Sequence, residues 1–115
     1  MTRAALLPAG PDPFLLAYWF RNFRRVWSSE VDELHVLVCG QTDPRAQDYI
    51  VDRALATAHN DLSINVRFHA KRLDHGQALG LLMEENRAEY VVFCEDDAYV
   101  RRTGEIAARF HRLEN

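Results

Sequence analysis

The chain has 115 residues, of which 48% are hydrophobic, and its 14 basic and 17 acidic residues give a formal net charge of −3. This length and composition favour one domain with a buried core, and the scattered basic residues argue against nucleic-acid binding. No apolar run approaches the roughly 18 residues of a membrane span, and the N-terminal segment is too short for a signal-peptide core. We therefore expect a cytoplasmic protein without a membrane span.

Four short apolar runs alternate with helical segments along the chain. The runs, which we predict to be strands, cover residues 4–7, 34–38, 64–68 and 90–94. Each helical segment opens with a residue that can cap a helix N-terminus, in chain order Asp12, Asp43, Asp74 and Thr103. Pro13 and Pro44 follow the first two caps, and proline is favoured at the first position of a helix. Cys39 and Cys94 each close a strand without the spacing of a metal site, which predicts buried thiols.

The first predicted helix has an apolar face and a basic face. Its apolar stripe includes Trp19, Phe20, Phe23 and Trp27. Its outer face carries Arg21, Arg24 and Arg25. This spacing predicts that the aromatic residues are core and that the arginines are solvated.

The alternation of strands and helices predicts an α/β fold. Right-handed βαβ units place helices on both faces of a mostly parallel sheet, which gives a Rossmann-like three-layer α/β/α architecture. No linker or low-complexity tract divides residues 1–115, so we expect a single domain. Because a four-stranded sheet has an open edge, we expect the domain to be incomplete and able to form a homo-oligomer.

The fourth predicted strand ends in three consecutive carboxylates, Glu95, Asp96 and Asp97. Its apolar run predicts a strand buried on both faces, and ligands bind at the carboxyl ends of strands in open α/β sheets. Adjacent carboxylates repel one another unless a cation compensates them, and oxygen ligands suit Mg²⁺ or Mn²⁺ carrying a phosphate group. If the strand alternation continues, Glu95 and Asp97 share one side and Asp96 points to the other. The alternative is a solvated acidic turn.

The loops after the other three strands are further candidates for a binding site. Residues 8–13 are rich in proline and small residues, but they lack the glycine patterns of dinucleotide-binding folds and P-loops. Residues 71–77 place basic groups, including Arg72, beside a helix N-terminus, which suits a diphosphate, and Gly76 permits a close approach. Residues 39–43 are a weaker candidate for the rim of the same crevice.

Residues 74–97 combine a glycine-containing helix start, an apolar strand and the Glu-Asp-Asp motif. In this they resemble the nucleotide-diphospho-sugar-binding half of GT-A-fold glycosyltransferases, especially those of family 2. The resemblance implies a truncated GT-A fold whose strand order begins 3-2-1-4, so that the loops after strands one and four flank a topological switch point. It also implies a nucleotide-diphospho-sugar donor, with Mn²⁺ or Mg²⁺ as the cofactor.

By this resemblance, one group of residues would surround the nucleoside. Pro8 and Ala9 would contact it, and Gly40 and Gln41 would lie near the base. Many family 2 enzymes have an aspartate after the second strand to grip the base, whereas this chain has Cys39, Gly40 and Gln41 there. The resemblance therefore leaves the identity of the base open.

A second group would hold the diphosphate and the metal. Arg72 and Gly76 would border the base or the diphosphate. Asp97 matches the last acid of the motif, the usual metal ligand, and Glu95 matches the first, which faces the ribose or a metal-bound water. We accordingly expect Asp97 and Glu95 as metal ligands, and Glu95 with Asp96 as donor contacts.

The resemblance implies the donor-binding domain of a glycosyltransferase that holds its nucleotide-diphospho-sugar through a divalent metal. We expect the acceptor half to be absent from residues 1–115, which contain no evident general base, so the catalytic residues and the glycan, lipid or protein acceptor are unassigned. One alternative is a non-catalytic nucleotide-sugar-binding or assembly module. Another is a metal-dependent phosphatase or nuclease, which normally needs acids after several strands.

Overall fold

Four parallel strands form one sheet in a computed structural model that describes residues 2–59 and 61–114. The strands are β1 (Arg3–Ala9), β2 (Glu33–Cys39), β3 (Ser63–His69) and β4 (Tyr90–Phe93). Their order is β3-β2-β1-β4, and β1 pairs with both β2 and β4. The predicted α/β fold and the strand order are therefore confirmed.

Helices connect the strands and follow the last of them. They are α1 (Pro13–Asn22), α2 (Pro44–Leu55), α3 (His75–Glu85) and α4 (Glu105–Glu114). α1 continues into a π-helical turn (Phe23–Trp27) and a 3₁₀ turn (Ser28–Glu30). None of the described helices is both long and apolar enough to cross a membrane.

Local sequence fixes the starts of the first three helices. The carboxylates of Asp12 and Asp43 accept hydrogen bonds from amides in the first turns of α1 and α2. Asp74 and Gln77 form a reciprocal capping box at the start of α3. All three predicted caps are confirmed, because each needs only residues two or three positions away.

α4 begins at Glu105 rather than at the predicted Thr103, and its first turn is capped by a distant residue. The Glu30 carboxylate is 8% exposed and accepts hydrogen bonds from the amides of Gly104 (3.1 Å) and Ala107 (2.8 Å). Gly104 has a φ of 90°, a left-handed conformation that glycine adopts most easily. The predicted start is wrong because a buried carboxylate, not the local hydroxyl, satisfies the first-turn amides.

Helices cover both faces of the sheet, which gives the three predicted layers. On one face, α1 with its π-helical turn, α2 and α4 contribute to one apolar cluster that includes Trp19, Ile50 and Phe110. On the other face, α3 supplies Ala78 and Leu82 to a second cluster. The sheet therefore lies between two separate cores.

The aromatic stripe of the first helix is core, as predicted. Its four buried rings are Trp19, Phe20, Phe23 and Trp27. The rings of Phe23 and Trp27 pack edge to face with centroids 4.7 Å apart, and Trp19 stacks on Phe23 at 5.4 Å. The outer-face arginines are exposed, also as predicted.

β4 differs from the predicted strand that is buried on both faces. It ends at Phe93, one residue before Cys94, and the Phe93 side chain is 55% exposed. The reason is the place of β4 at the edge of the sheet, where β1 is its one neighbouring strand among the described residues. The strands with largely buried residues are β1 and β2, in the middle of the sheet.

Both cysteines are buried, as predicted. Burial raises the pKa of the Cys94 thiol to about 12 and also raises the pKa of Cys39. Cys94 belongs to the cluster beneath α1, and Cys39 belongs to the cluster beneath α3. Each core therefore contains one neutral thiol.

Candidate functional site at the carboxyl edge of the sheet

The loops that follow the four strands meet at one edge of the sheet, because the strands are parallel and their carboxyl ends lie together. We call them loop 1 (residues 10–12), loop 2 (40–43), loop 3 (70–74) and loop 4 (94–104). Since β1 lies between β2 and β4, loops 1 and 4 flank the point at which the strand order reverses. Ligands of doubly wound sheets bind at this point.

Loop 4 is attached to loop 1 by Asp96. The Gly10 amide donates a hydrogen bond to Oδ2 of Asp96 over 3.0 Å, and Asp96 is half-buried. The Cys94 amide donates to the Leu6 carbonyl oxygen over 2.9 Å, which extends the pairing of β1 with β4 into the loop. The start of loop 4 is therefore held against the end of β1 at the switch point.

The three acids lie in a turn rather than in the strand. The Ala98 amide donates to the Glu95 carbonyl oxygen over 3.2 Å and closes this turn. The expected alternation does not continue to Asp97, because β4 has already ended. Asp96 turns to loop 1, whereas the side chains of Glu95 and Asp97 are exposed and bond to no other described residue. Two carboxylates are thus available to a ligand and one is engaged.

A second attachment holds loop 4 further along the chain. The Asn22 side chain, at the end of α1, donates to the Val100 carbonyl oxygen (2.9 Å) and accepts from the Val100 amide (3.1 Å). Between the two attachments, residues 97–99 are exposed. Asp97 is therefore presented from a backbone that is fixed on both sides. No local pattern identifies Asn22, because its partner is 78 residues away.

The two available acids fit a hard divalent cation in their chemistry. Within the described ranges, no group of three or more His, Cys, Asp or Glu side chains is arranged to hold a metal ion. Mg²⁺ commonly takes one or two carboxylates from the protein, while water and substrate phosphates complete its shell. The oxygen donors of Glu95 and Asp97 match that mode of binding.

Gln41 ties loop 2 to loop 1. Its Nε2 donates to the Pro11 carbonyl oxygen over 2.8 Å, and its Oε1 accepts from the Asp43 amide over 2.9 Å. The Gln47 side chain in turn donates to the Gln41 carbonyl oxygen over 2.8 Å. Both ends of the Gln41 amide are thus engaged within the protein. Its predicted place near a base is untested, but its side chain holds the rim together.

Gly40 and Arg72 bring loop 3 against loop 2. Gly40 has a φ of 83°, and a Cβ at this position would lie 3.3 Å from Cβ of Arg72 and 3.5 Å from its Cα. The Gly40 amide donates to the His69 carbonyl oxygen over 2.8 Å. The left-handed conformation favours glycine here, and a Cβ would make a tighter contact than usual with Arg72. Gly76 is exposed in the first turn of α3. Contacts link loop 3 to loop 2, loop 2 to loop 1 and loop 1 to loop 4, so the four loops form one rim.

Pro8 and Ala9 belong to β1, and their predicted place in a loop over residues 8–13 is wrong. Both are buried, and Gly10 is the first residue beyond the strand. Along a strand, the backbone polar groups of successive residues point to opposite sides, so the backbone nitrogen of Pro8 faces the same side as the polar groups of Leu6. That side is β4, because the Leu6 carbonyl oxygen accepts a hydrogen bond from the Cys94 amide. Proline is tolerated because the pairing of β1 with β4 ends at Leu6 and Phe93, two residues before Pro8. Contact of these residues with a nucleoside stays a prediction.

A cavity of about 420 Å³ lies beside loop 4, between β4, the π-helical turn and α4. Glu95 lines it together with Phe93 and Tyr99, whose rings are both substantially exposed. Local sequence marks neither ring as a site residue, because Phe93 ends an apolar strand, where aromatic residues are usually core, and Tyr99 lies in a loop. The volume is within the range of small-molecule pockets.

Two solved structures share this architecture. The mannosyltransferase PcManGT from Pyrobaculum calidifontis, in complex with GDP-Man and Mn²⁺, matches with a TM-score of 0.77 at 18% identity. Residues 1–349 of TarS from S. aureus match with a TM-score of 0.75 at 15% identity. Both neighbours have the GT-A fold. This chain has a GT-A fold.

The likeness is one of fold alone, because at such low sequence identities the functional residues of the neighbours cannot be assigned to positions in this chain. In both comparisons the match covers 99% of this chain and 32% of the other chain. This GT-A domain thus spans about a third of the length of each neighbour. No protein-family model and no curated protein sequence matches it.

Proposed function

We propose that the carboxyl edge of this GT-A domain binds a nucleotide-diphospho-sugar as the donor site of a glycosyltransferase. The observation that carries the proposal is the arrangement of loop 4 at the switch point. Asp96 is engaged by the Gly10 amide, while the side chains of Glu95 and Asp97 are exposed and bond to no other described residue. The P. calidifontis neighbour holds GDP-Man and Mn²⁺, which supports ligands of these classes for the same fold.

Asp97 and Glu95 would hold Mn²⁺ or Mg²⁺. When bound, the metal supplies positive charge that stabilises a leaving diphosphate. Asp96 fixes the backbone of loop 4 through its Oδ2 atom, so its two neighbours meet the ligand from a pre-organised segment. A donor contact by Asp96 itself would use the remaining oxygen, Oδ1.

Loop 3 would face the base or the diphosphate. Lys71 and Arg72 are exposed, and neither side chain forms an ion pair with a described residue. Positive charge beside the N-terminus of α3 favours an anion there. Because the Gln41 amide is engaged by Pro11 and Asp43, we assign any contact of loop 2 with the base to the backbone.

A thermal-shift panel of nucleoside diphosphates, with and without Mn²⁺, tests the proposal. We expect stabilisation only when the metal is present, because the diphosphate and the two acids both bind it. A ligand at 100 times its dissociation constant adds about 2.7 kcal/mol to the free energy of unfolding. Asp97→Asn preserves size but removes a charged ligand, and it should abolish the shift without lowering the melting temperature.

Asp61→Asn is the matched control, since Asp61 is exposed and precedes β3. It therefore lies at the amino ends of the strands, on the side of the sheet opposite the loops of the carboxyl edge. It should leave the metal-dependent shift intact. Equal shifts with and without Mn²⁺, or no shift with any nucleotide, would contradict the donor-site proposal. Unfolding of Asp97→Asn with nucleotide binding retained in the folded remainder would assign the acids a structural role instead.

A further inference from the structure

A groove of about 870 Å³ lies between α1 and α2, and the described residues that line it all lie outside loops 1 to 4. We call it the arginine groove. Near the start of the helices it is lined by Phe14, Tyr18 and Tyr49. Further along it is lined by Arg21, Arg24, Arg25 and Arg53. It thus has an aromatic end and a basic end.

The basic end carries positive charge that the protein does not neutralise. None of the described residues that line the groove is acidic. Arg53 pairs with Asp52 at 3.0 Å, but Arg21, Arg24 and Arg25 form no ion pair with any described residue. Like charges at this spacing along a helix repel one another. The whole chain has a net charge of −3, so the basic end of the groove is a local positive patch. An anionic partner would stabilise it.

The aromatic end exposes rings that a solvated helix does not need. Phe14 is 68% exposed and Tyr18 is 63% exposed, one helical turn apart on the same face of α1. The Phe14 ring lies 6.1 Å from the Tyr49 ring of α2, and Arg53 lies over Tyr49 at 5.8 Å from the ring centroid. Tyrosine, phenylalanine and arginine are the residue types enriched in the cores of protein interfaces.

The groove is built on a rigid support. Phe23 and Trp27 of the π-helical turn are buried in the core. Arg24 and Arg25 lie between them in the sequence and are exposed on the outer side. Because the backbone beneath the groove is already ordered, a partner would not have to supply the free energy of ordering it. π-helical turns also occur often at functional sites.

We propose that the arginine groove is a docking site for an acidic segment of a partner protein. Carboxylates of the segment would pair with Arg21, Arg24 and Arg25, and its apolar side chains would pack on Phe14 and Tyr18. The groove lies between two helices, which fits a peptide segment laid along it. This proposal is independent of the donor site.

Fluorescence anisotropy with a labelled peptide of repeated Glu-Glu-Leu-Phe tests the proposal on the whole chain. We expect saturable binding that weakens as salt is raised, and no binding of the same peptide with lysine in place of glutamate. The double variant Arg21→Glu/Arg25→Glu should raise the dissociation constant about tenfold or more. Arg21→Ala/Arg25→Ala should also weaken peptide binding, because it removes the same two positive charges. Both variants should stay folded because the two side chains are exposed.

Arg101→Glu/Arg102→Glu is the matched control. It makes the same change in charge on two exposed arginines outside the groove, and it should leave peptide affinity unchanged. An equal loss in this control would overturn the proposal, because binding would then follow net charge. So would the absence of peptide binding, or groove-dependent binding to phosphatidylserine vesicles in place of the peptide.

Discussion

At the scale of residues, three adjacent acids have different environments. The Asp96 side chain accepts a hydrogen bond from the Gly10 amide and fixes the junction of loops 1 and 4, whereas the side chains of Glu95 and Asp97 bond to no other described residue. Adjacent carboxylates repel one another. The hydrogen bond from the Gly10 amide stabilises the negative charge of the middle carboxylate, Asp96. A cluster that looks uniform in sequence therefore divides into a structural acid and two candidate ligands.

Asp96→Ala should lower the free energy of unfolding by about 1–3 kcal/mol, because the Gly10 amide loses a charged acceptor at a partly buried site. The loss is measured by urea denaturation. Hydrogen exchange should show faster exchange of the Gly10 amide. The control is Asp61→Ala, which removes an exposed acid without a hydrogen-bond partner among the described residues. If both variants lose the same stability, the contact between loops 1 and 4 contributes nothing.

At the scale of elements, the start of α4 depends on a residue that lies far from it in the sequence. Glu30 lies in the 3₁₀ turn after α1 and caps α4 through the amides of Gly104 and Ala107. The buried carboxylate and the helix N-terminus satisfy each other, since unpaired amides favour an anion. This contact joins α1 and α4 on the same face of the sheet and so fixes the wall of the cavity beside loop 4.

Glu30→Ala should destabilise the protein by about 1–3 kcal/mol, because two first-turn amides lose a buried acceptor. Hydrogen exchange at α4 reports the loss directly, and its amides should exchange faster while those of α3 do not change. Thr103→Ala is the informative control. It removes the residue that the sequence pattern suggests as the cap, and it should be nearly neutral. A larger effect from Thr103→Ala than from Glu30→Ala would show that the cap is local.

At the scale of the whole molecule, the sheet separates two cores, and each contains a buried thiol. Burial raises the pKa of Cys94 from its ordinary value of 9.0 to about 12 in the folded protein. The neutral thiol is thus favoured by folding. Its contribution to stability is complete below pH 9 and is lost as the pH rises from 9 towards 12.

The free energy of unfolding should therefore fall as the pH rises above about 9. Cys94→Ala should show a shallower fall than the parent protein over the same range, because the titrating group is gone. Urea denaturation at a series of alkaline pH values measures both slopes. Identical slopes would mean that other groups account for the alkaline loss. The comparison with the variant is needed because tyrosines titrate in the same range.

The sequence by itself determined the parts of this protein that depend on near neighbours. The caps at Asp12, Asp43 and Asp74 each bond within two or three residues, so local pattern identifies where α1, α2 and α3 begin. The periodicity of apolar residues likewise predicted the buried aromatic stripe and the four strands. The strand order followed from the resemblance carried by residues 74–97, and the fold confirms it.

The tertiary structure decided what depends on distant residues. Asp96 meets Gly10 across 86 residues, Glu30 meets Ala107 across 77, and Gln41 meets Pro11 across 30. Such bonds leave no local pattern, because a polar residue in a turn has the same sequence signature whether it faces solvent or another loop. The exposure of Phe93 was decided in the same way. Its residue type predicts burial, but the place of β4 in the sheet determines how much apolar surface its neighbours can cover.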